Sequence, residues 1–265
     1  MIQQIILSGL CLISSIASTA QILKVDKTNV DADTSGVFMG SLKADFNLNN
    51  RSATAEQNIT YTGLKASADL VYLGQQHAYI LINQLNYFKT TGGPLFSTGY
   101  THFRINFLRK NKVSYELFTQ VQYDEGRKMT LRYLNGGNFR FQLVNNTKTR
   151  LHLGVGAMHE QENWKNLDDE SMLIKKDIFK STNYLNYQQK LNEYVSLNLI
   201  AYYQGGYDQE SEIFRNRISG DFDLNVKLTD KLAFNTSFTA QYEDHPIIPI
   251  NNWVYSLTNG LKYSF

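Results

Sequence analysis

Apolar and polar residues alternate with a period of two along most of the chain after residue 36. In the segment 214–228, Phe214, Ile218 and Phe222 share one face, whereas Arg217 and Asp223 lie on the other. This period is typical of β-strands that have one apolar face. The alternation predicts twelve strands, near 37–48, 57–73, 77–88, 96–108, 112–124, 127–144, 149–159, 181–190, 195–204, 213–228, 231–243 and 252–265.

Two of these strands leave alternatives open. In 77–88, Ile80 and Ile82 lie on one face and Leu81 and Leu85 on the other, so the phase is ambiguous. The sixth strand contains Asn135-Gly136-Gly137, which predicts either a bulge or a break. A break would change the strand count.

The predicted connections are short at one end of the strands and mostly longer at the other, with a short exception near Glu125. This arrangement is typical of a transmembrane antiparallel up-and-down β-barrel. The longer connections are expected near 49–56, 89–95, 160–180, 205–212 and 244–251. We expect the longest, 160–180, to be a solvated loop, and a short surface helix is the alternative.

The N-terminal segment resembles an export signal. Residues 2–20 carry no charged side chain, and Ser18-Thr19-Ala20 supplies small residues for cleavage after Ala20. The alternative is an N-terminal anchor helix. Because Leu10 precedes Cys11, the only cysteine, we expect no lipid anchor. The predicted organisation is a signal peptide over 1–20, a periplasmic segment over 21–36 and a barrel over 37–265.

Composition narrows the function classes. Lys and Arg number 26 against 24 Asp and Glu, so the net charge of +2 argues against charge-dominated nucleic-acid binding. The mean hydropathy of -0.36 argues against a helical membrane bundle. Aromatic residues make up 13% of the chain and cluster near predicted strand ends, as interfacial girdles do. They favour a membrane barrel over an exported, soluble lipocalin-like binder.

The last predicted strand ends with Leu261, Tyr263 and Phe265 on one face. A terminal strand of this kind resembles the signal that outer-membrane proteins present to their assembly machinery. We therefore expect the barrel-assembly machinery and periplasmic chaperones as partners, together with outer-membrane lipids and lipopolysaccharide.

Several strand patterns resemble one known family. The residues that carry the resemblance are 218–234, 241–244, 258–265, Val37–Leu42 and Gly154–Ala157. They are similar to the domain of unknown function 481 family, the YdiY-like salt-induced outer-membrane proteins. Asn49-Asn50 departs from the Gly-Asn that is typical after the first strand of that family. The resemblance spans most of 37–265 and implies a barrel in the outer membrane, but the family has no agreed biochemical function to transfer.

Charged residues on the polar faces are the candidate lumen-lining residues. Two interpretations stay open: a selectivity lining that attracts anions, and a salt-bridged filling of a narrow barrel. The near balance of signs favours the filling. The candidates are Arg104, Glu116, Arg132, Arg140, Arg215, Arg217, Asp221 and Asp223.

We expect no catalytic, cofactor-binding or metal-binding residues, and a monomer that is not an enzyme. The leading hypothesis is a structural envelope protein, or a narrow passive channel for small solutes, in the Gram-negative outer membrane. The alternative is a barrel-type outer-membrane phospholipid hydrolase. For that role His102 and His152, both expected to face the lumen, would be tested first.

Overall fold

The computed structural model describes residues 35–54, 57–91, 93–229 and 232–263. They form twelve β-strands and one short 3₁₀-helix, Glu125–Arg127. The strands are β1 (Val37–Thr54), β2 (Gln57–Leu73), β3 (Ala78–Thr90), β4 (Gly93–Phe107), β5 (Val113–Asp124), β6 (Met129–Asn145), β7 (Thr149–Lys165), β8 (Leu173–Lys190), β9 (Val195–Asp208), β10 (Ile213–Lys227), β11 (Leu232–Glu243) and β12 (Trp253–Tyr263).

Every strand pairs antiparallel with the next one along the chain, in a single sheet ordered β1 to β12. The sheet curls, because side chains on one face meet across several strands. Tyr184 of β8 contacts Glu116 of β5, and Arg217 of β10 contacts Glu160 of β7. The predicted all-β, up-and-down barrel of twelve strands is therefore confirmed. We call its inner face the lumen and its outer face the outer wall.

The usual distribution of apolar and polar residues is inverted in this barrel. Among the described residues, 31 polar or charged residues are buried, against 16 hydrophobic ones. Large apolar side chains lie exposed on the outer wall, including Leu117, Phe139 and Phe179, which are 56%, 53% and 69% exposed. A soluble barrel places its apolar face inside, so this outer wall fits a lipid environment better than water.

The two ends of the barrel differ less than the sequence predicted. Five of the six connections at one end were expected to be long, but only two, 166–172 and 244–252, exceed four residues. Most of the missing length is strand, since β1 continues to Thr54 and β9 to Asp208. We call the end that carries 166–172 and 244–252 the mouth.

The prediction of a connection over 160–180 was wrong. β7 continues to Lys165 and β8 begins at Leu173, so most of that segment belongs to two paired strands and contains no helix. Alternation continues there, but both faces are polar: Glu160 points into the lumen while His159 and Gln161 lie on the outer wall. A search for an apolar face therefore ends the strand too early.

The structure resolves both ambiguous strands. In β3, Ile80 and Ile82 face the lumen and Leu85 faces outward, so the lumen holds an apolar cluster with Val71 and Tyr100. The Asn135-Gly136-Gly137 segment lies within one continuous strand, and the register shifts of the β6–β7 pair occur elsewhere.

Some predictions concern residues outside the described ranges. The signal peptide over 1–20, most of the 21–36 segment and Phe265 belong to this group. Leu261 and Tyr263 lie in β12, where they pair with Phe234 and Leu232 of β11. The part of the chain that the structure describes contains no helix long and apolar enough to cross a membrane.

Candidate functional site

The structure places all eight candidate lumen-lining residues on the inner face, and each of them is buried. They do not form one site. Arg132 and Arg217 lie near the mouth, whereas Arg104, Glu116 and Arg140 form a second cluster on β4, β5 and β6. Arg215 belongs to a third group with Asp208, and Asp221 and Asp223 continue the inner face of β10.

The group near the mouth is a network of buried charges, which we call the mouth network. Arg217 donates to both oxygens of Glu160, with Nη1–Oε2 2.8 Å and Nη2–Oε1 3.0 Å, and its Nη2 lies 3.1 Å from Oε1 of Glu162. Lys180 adds a 2.9 Å contact to Glu160. The members of the network are Arg127, Arg132, Glu160, Glu162, Lys180, Arg217 and Glu243.

The network joins strands that are not neighbours in the sheet. Glu243, at the end of β11, accepts hydrogen bonds from Arg217 of β10, from Arg132 of β6 and from Arg127 of the 3₁₀-helix. Arg132 also donates to Glu162 of β7. Because forked Arg–carboxylate contacts are directional, these bonds hold opposite walls of the lumen together.

A second cluster surrounds Glu116. Its carboxylate accepts a 2.9 Å hydrogen bond from the Tyr184 hydroxyl and contacts Arg104 at 3.4 Å and Arg140 at 3.8 Å. Tyr184 reaches this position because Gly154, its partner on β7, has no side chain. A Cβ there would lie 2.0 Å from the tyrosine ring.

The connection 244–252, which we call the mouth loop, folds back against the barrel. Ile248 is 2% exposed and packs with Met129 and Trp164 in an apolar cluster. The Trp164 ring also lies 5.8 Å from the guanidinium of Arg127, so this cluster sits directly against the mouth network. The loop and the network are therefore in direct contact at the mouth.

Polar contacts fix both ends of the mouth loop. Asn216 donates to Asp244 through its backbone N–H at 2.8 Å and its side-chain amide at 2.6 Å. Burial raises the pKa of Asp244, but the hydrogen bonds from Asn216 and the neighbouring His245 outweigh it, and the net pKa lies below the ordinary value. Arg215 donates to the His245 carbonyl and, at 2.9 Å, to Asp208, which ties the loop to β9.

Many of the charged side chains that the structure describes are buried. They comprise seven basic and seven acidic side chains. Side chains that line an open, water-filled pore remain accessible to water, whereas these are packed against one another. The geometry thus fits the salt-bridged filling in the state described.

Five members of the mouth network were missed as site residues: Arg127, Glu160, Glu162, Lys180 and Glu243. Glu160, Glu162 and Lys180 were assigned to a connection, and Arg127 to the start of a strand. The useful signal was the spacing of two between Glu160, Glu162 and Trp164, which continues the inner face of β7 past the apolar region. Glu243 alternates in the same way at the end of β11.

Both histidines that were considered for a hydrolase are buried in the lumen. His102 contacts Gln120 at 3.1 Å through Nδ1, and His152 pairs with Asn186 of β8 in the sheet register. Neither lies on the outer wall, where a lipid substrate would be. Among the described residues, no three His, Cys, Asp or Glu side chains come together as a metal site.

Comparisons with known proteins leave the family open. No protein-family model matches the chain, and no curated protein matches its sequence. The resemblance to the domain of unknown function 481 family therefore stays a prediction.

Two solved barrels are similar in structure. A NanC porin has a TM-score of 0.46 at 8% identity, over 77% of this chain and 94% of the porin. A CymD monoaromatic hydrocarbon channel has a TM-score of 0.38 at 9% identity, over 86% of this chain and 78% of the channel. Similarity at this level carries no argument about function.

Proposed function

We propose that the protein is an outer-membrane barrel that acts as a narrow passive channel for small solutes. In the state described here, the mouth network and the mouth loop close it. The proposal assigns the protein no enzymatic activity. It includes the expected partners: lipids and lipopolysaccharide against the outer wall, and the barrel-assembly machinery during insertion.

The inverted distribution of side chains supports placement in a membrane. An outer wall of exposed Leu, Phe and Tyr would cost free energy in water, at roughly 25 cal/mol for each Å² of apolar surface. Between lipid tails that cost disappears. Closed barrels are the β-structures that span membranes, and the predicted export signal agrees with an outer-membrane location.

The observation that carries the channel proposal is the chemistry of the closure. Replacing a buried ion pair with packed apolar side chains is often neutral or stabilising, so a barrel that only needed filling has no physical need for charges. Here the closure uses Arg217, Glu160 and their partners. Charged side chains of this kind remain favourably solvated when the lumen opens to water. A purely apolar filling would instead be exposed to water at a cost in free energy.

Planar-bilayer conductance of the refolded chain tests the proposal. We expect small, infrequent openings from the unaltered protein and larger, more frequent openings from Arg217→Ala, which removes the residue that bridges three carboxylates. Arg150→Ala is the matched control, because Arg150 also faces the lumen but hydrogen-bonds only to Gln188 among the contacts seen. If neither the unaltered protein nor Arg217→Ala conducts, the channel proposal fails and a purely structural role in the envelope takes its place.

Membrane placement has its own test. A closed barrel resists SDS until it is boiled, so we expect heat-modifiable gel mobility in an outer-membrane fraction. A mature chain that stays soluble and monomeric without detergent would contradict the placement and favour the lipocalin-like binder.

A further inference from the structure

The two ends of the barrel carry opposite charges, and we call the end opposite the mouth the turn end. Among the described residues, the connections at the mouth expose six acidic side chains: Glu125, Asp168, Asp169, Glu170, Glu210 and Glu212. The connections at the turn end, with the strand residues next to them, expose one acidic side chain, Glu193, and five lysines. The lysines are Lys110, Lys112, Lys148, Lys190 and Lys227. The turn end therefore has a positive potential that attracts anions.

Two of these lysines lie directly opposite each other. The β7–β8 ladder reaches the pair Thr149 and Gln189, and the next backbone hydrogen bond runs from the Lys190 N–H to the Lys148 carbonyl at 2.7 Å. Like charges at opposite positions of a ladder destabilise it. In the part of the chain that the structure describes, no carboxylate pairs with either lysine. The pair therefore favours an anion between its two ammonium groups.

The alternation of the strands places this pair on the lumen side. Lys190 shares the face of Asn186, and Lys148 shares the face of His152; both Asn186 and His152 are buried, and they are opposite each other in the register. Asn186 is 0% exposed, and neither of its amide atoms has a hydrogen-bond partner among the described residues. A buried amide without partners costs free energy. The lumen beside the lysines thus favours a solute that supplies hydrogen-bonding groups.

The charge of the lysine pair distinguishes between kinds of anion. A phosphate monoester carries a charge of about −1.5 to −2 at pH 7, so one such group balances both ammonium groups. A carboxylate, or the phosphodiester of a phospholipid, carries a single charge and leaves one ammonium unbalanced. Lysine binds phosphate as a point charge and needs no forked geometry to do so.

We infer that Lys148 and Lys190 form a binding site for phosphate groups at the turn end of the lumen, with Asn186 beside it. The inference rests on the proposed channel, for which it names a class of solute: small molecules that carry a phosphate monoester. Binding at this site can be measured without conduction, so the site and the channel are tested separately.

Acetylation of lysines in the refolded full-length chain, followed by mass spectrometry, tests the inference. In neutral detergent, inorganic phosphate at about four times its Kd should slow the labelling of Lys148 and Lys190 roughly fivefold, relative to chloride at equal ionic strength. Lys175 is exposed on β8 near the mouth and is the internal control, with equal labelling expected in both salts. Acetate at the same ionic strength should protect the pair less than phosphate does.

Two variants test whether the lysines act together. Lys148→Gln should remove the phosphate protection of Lys190, because one ammonium cannot balance the doubly charged group. Lys175→Gln should leave that protection unchanged, and heat-modifiable mobility verifies that each variant is folded. Protection of Lys190 that survives Lys148→Gln overturns the inference, as does equal protection by acetate or equal slowing at Lys175. Protection seen only with phosphatidylglycerol vesicles also overturns it and assigns the pair to a lipid head group.

Conductance separates the site from the channel. Phosphate added at the turn end should reduce the current through the unaltered protein and affect Lys148→Gln less. Conduction that phosphate leaves unchanged overturns the inference while the channel stands. Phosphate protection in a chain that never conducts supports the site and contradicts the channel.

Discussion

Arg217 on β10 and Glu160 on β7 meet across the lumen through two hydrogen bonds, 2.8 Å from Nη1 to Oε2 and 3.0 Å from Nη2 to Oε1. Both residues are buried, and β8 and β9 lie between their strands in the sheet. The pair therefore links two walls of the barrel. Its strength depends on the charges around it, since Glu162 and Glu243 also approach Arg217.

We expect Arg217→Met to destabilise the barrel by about 3–5 kcal/mol, because it leaves buried carboxylates without their principal cation. Thermal unfolding in detergent, followed by circular dichroism, measures the loss. Arg217→Met/Glu160→Gln is expected to recover part of it, since the variant removes a carboxylate together with its partner. If Arg217→Met is as stable as the unaltered protein, the Arg217–Glu160 pair contributes nothing to the free energy of unfolding.

Gly154→Ala is expected to displace Tyr184 and weaken the Glu116 cluster. The added Cβ would lie 2.0 Å from one ring carbon and 2.4 Å from another, so the ring must move and lose its bond to Glu116. Overpacking of this kind costs about 1–3 kcal/mol. The shift in unfolding temperature measures it.

Gly220→Ala is the control for that experiment, because its Cβ would meet nothing closer than the Ile200 carbonyl at 3.5 Å. Equal unfolding temperatures for the two alanine variants would contradict the packing argument. Tyr184→Phe separates the hydrogen bond from the packing, since it keeps the ring and removes the hydroxyl.

The sequence predicts the twelve strands and the inward direction of the charges, because a period of two separates the faces wherever one of them is apolar. It fails in β7 beyond Ala157, where His159 and Glu160 are both polar although the strand continues. On β7 near the mouth the outward positions His159 and Gln161 are polar, so the two faces of this strand no longer differ in hydropathy. The pattern thus marks the apolar zone of a strand rather than its end.

The alternation also cannot predict which residues of the site contact one another, for a different reason. Arg132 and Glu243 are separated by 111 positions in the chain, and their contact depends on how the sheet curls. The burial of Ile248 against Trp164 depends in addition on the path of a connection that has no regular structure. Alternation assigns a side chain to a face and does not identify what lies opposite.

Ile248→Ala is expected to release the mouth loop, because the apolar contact with Met129 and Trp164 holds it against the barrel. Full burial of an isoleucine makes this truncation cost about 2–5 kcal/mol in a packed core. Trp164 reports the release when the only other tryptophan is removed by Trp253→Phe. We expect its emission to move to longer wavelength as the ring meets water.

Ile250→Ala is the control for the loop, since Ile250 is only partly buried against the same cluster and its truncation should move the emission less. The bilayer conductance of the two variants also tests whether the loop helps to close the channel. If Ile248→Ala exposes Trp164 but leaves the bilayer conductance unchanged, the loop is not part of the closure.

Acid is expected to loosen the mouth loop through Asp244. Its pKa lies below the ordinary value in the folded protein, since the hydrogen bonds from Asn216 and the nearby His245 outweigh the effect of burial. The carboxylate therefore stabilises the docked loop above the unfolded pKa of about 3.9, and this contribution is lost as pH falls through the lower, folded value. In the Trp253→Phe background, Trp164 emission should shift only below about pH 4.

Asp244→Asn identifies the group responsible. It removes the titrating carboxyl, so we expect a loop that is already less firmly docked at neutral pH and a smaller change on acidification. Other buried carboxylates also gain protons in acid, and Asp208→Asn shows how much of the change arises on the β9 side of the loop. An acid transition identical in the unaltered protein and in Asp244→Asn would place the sensitive group elsewhere in the mouth.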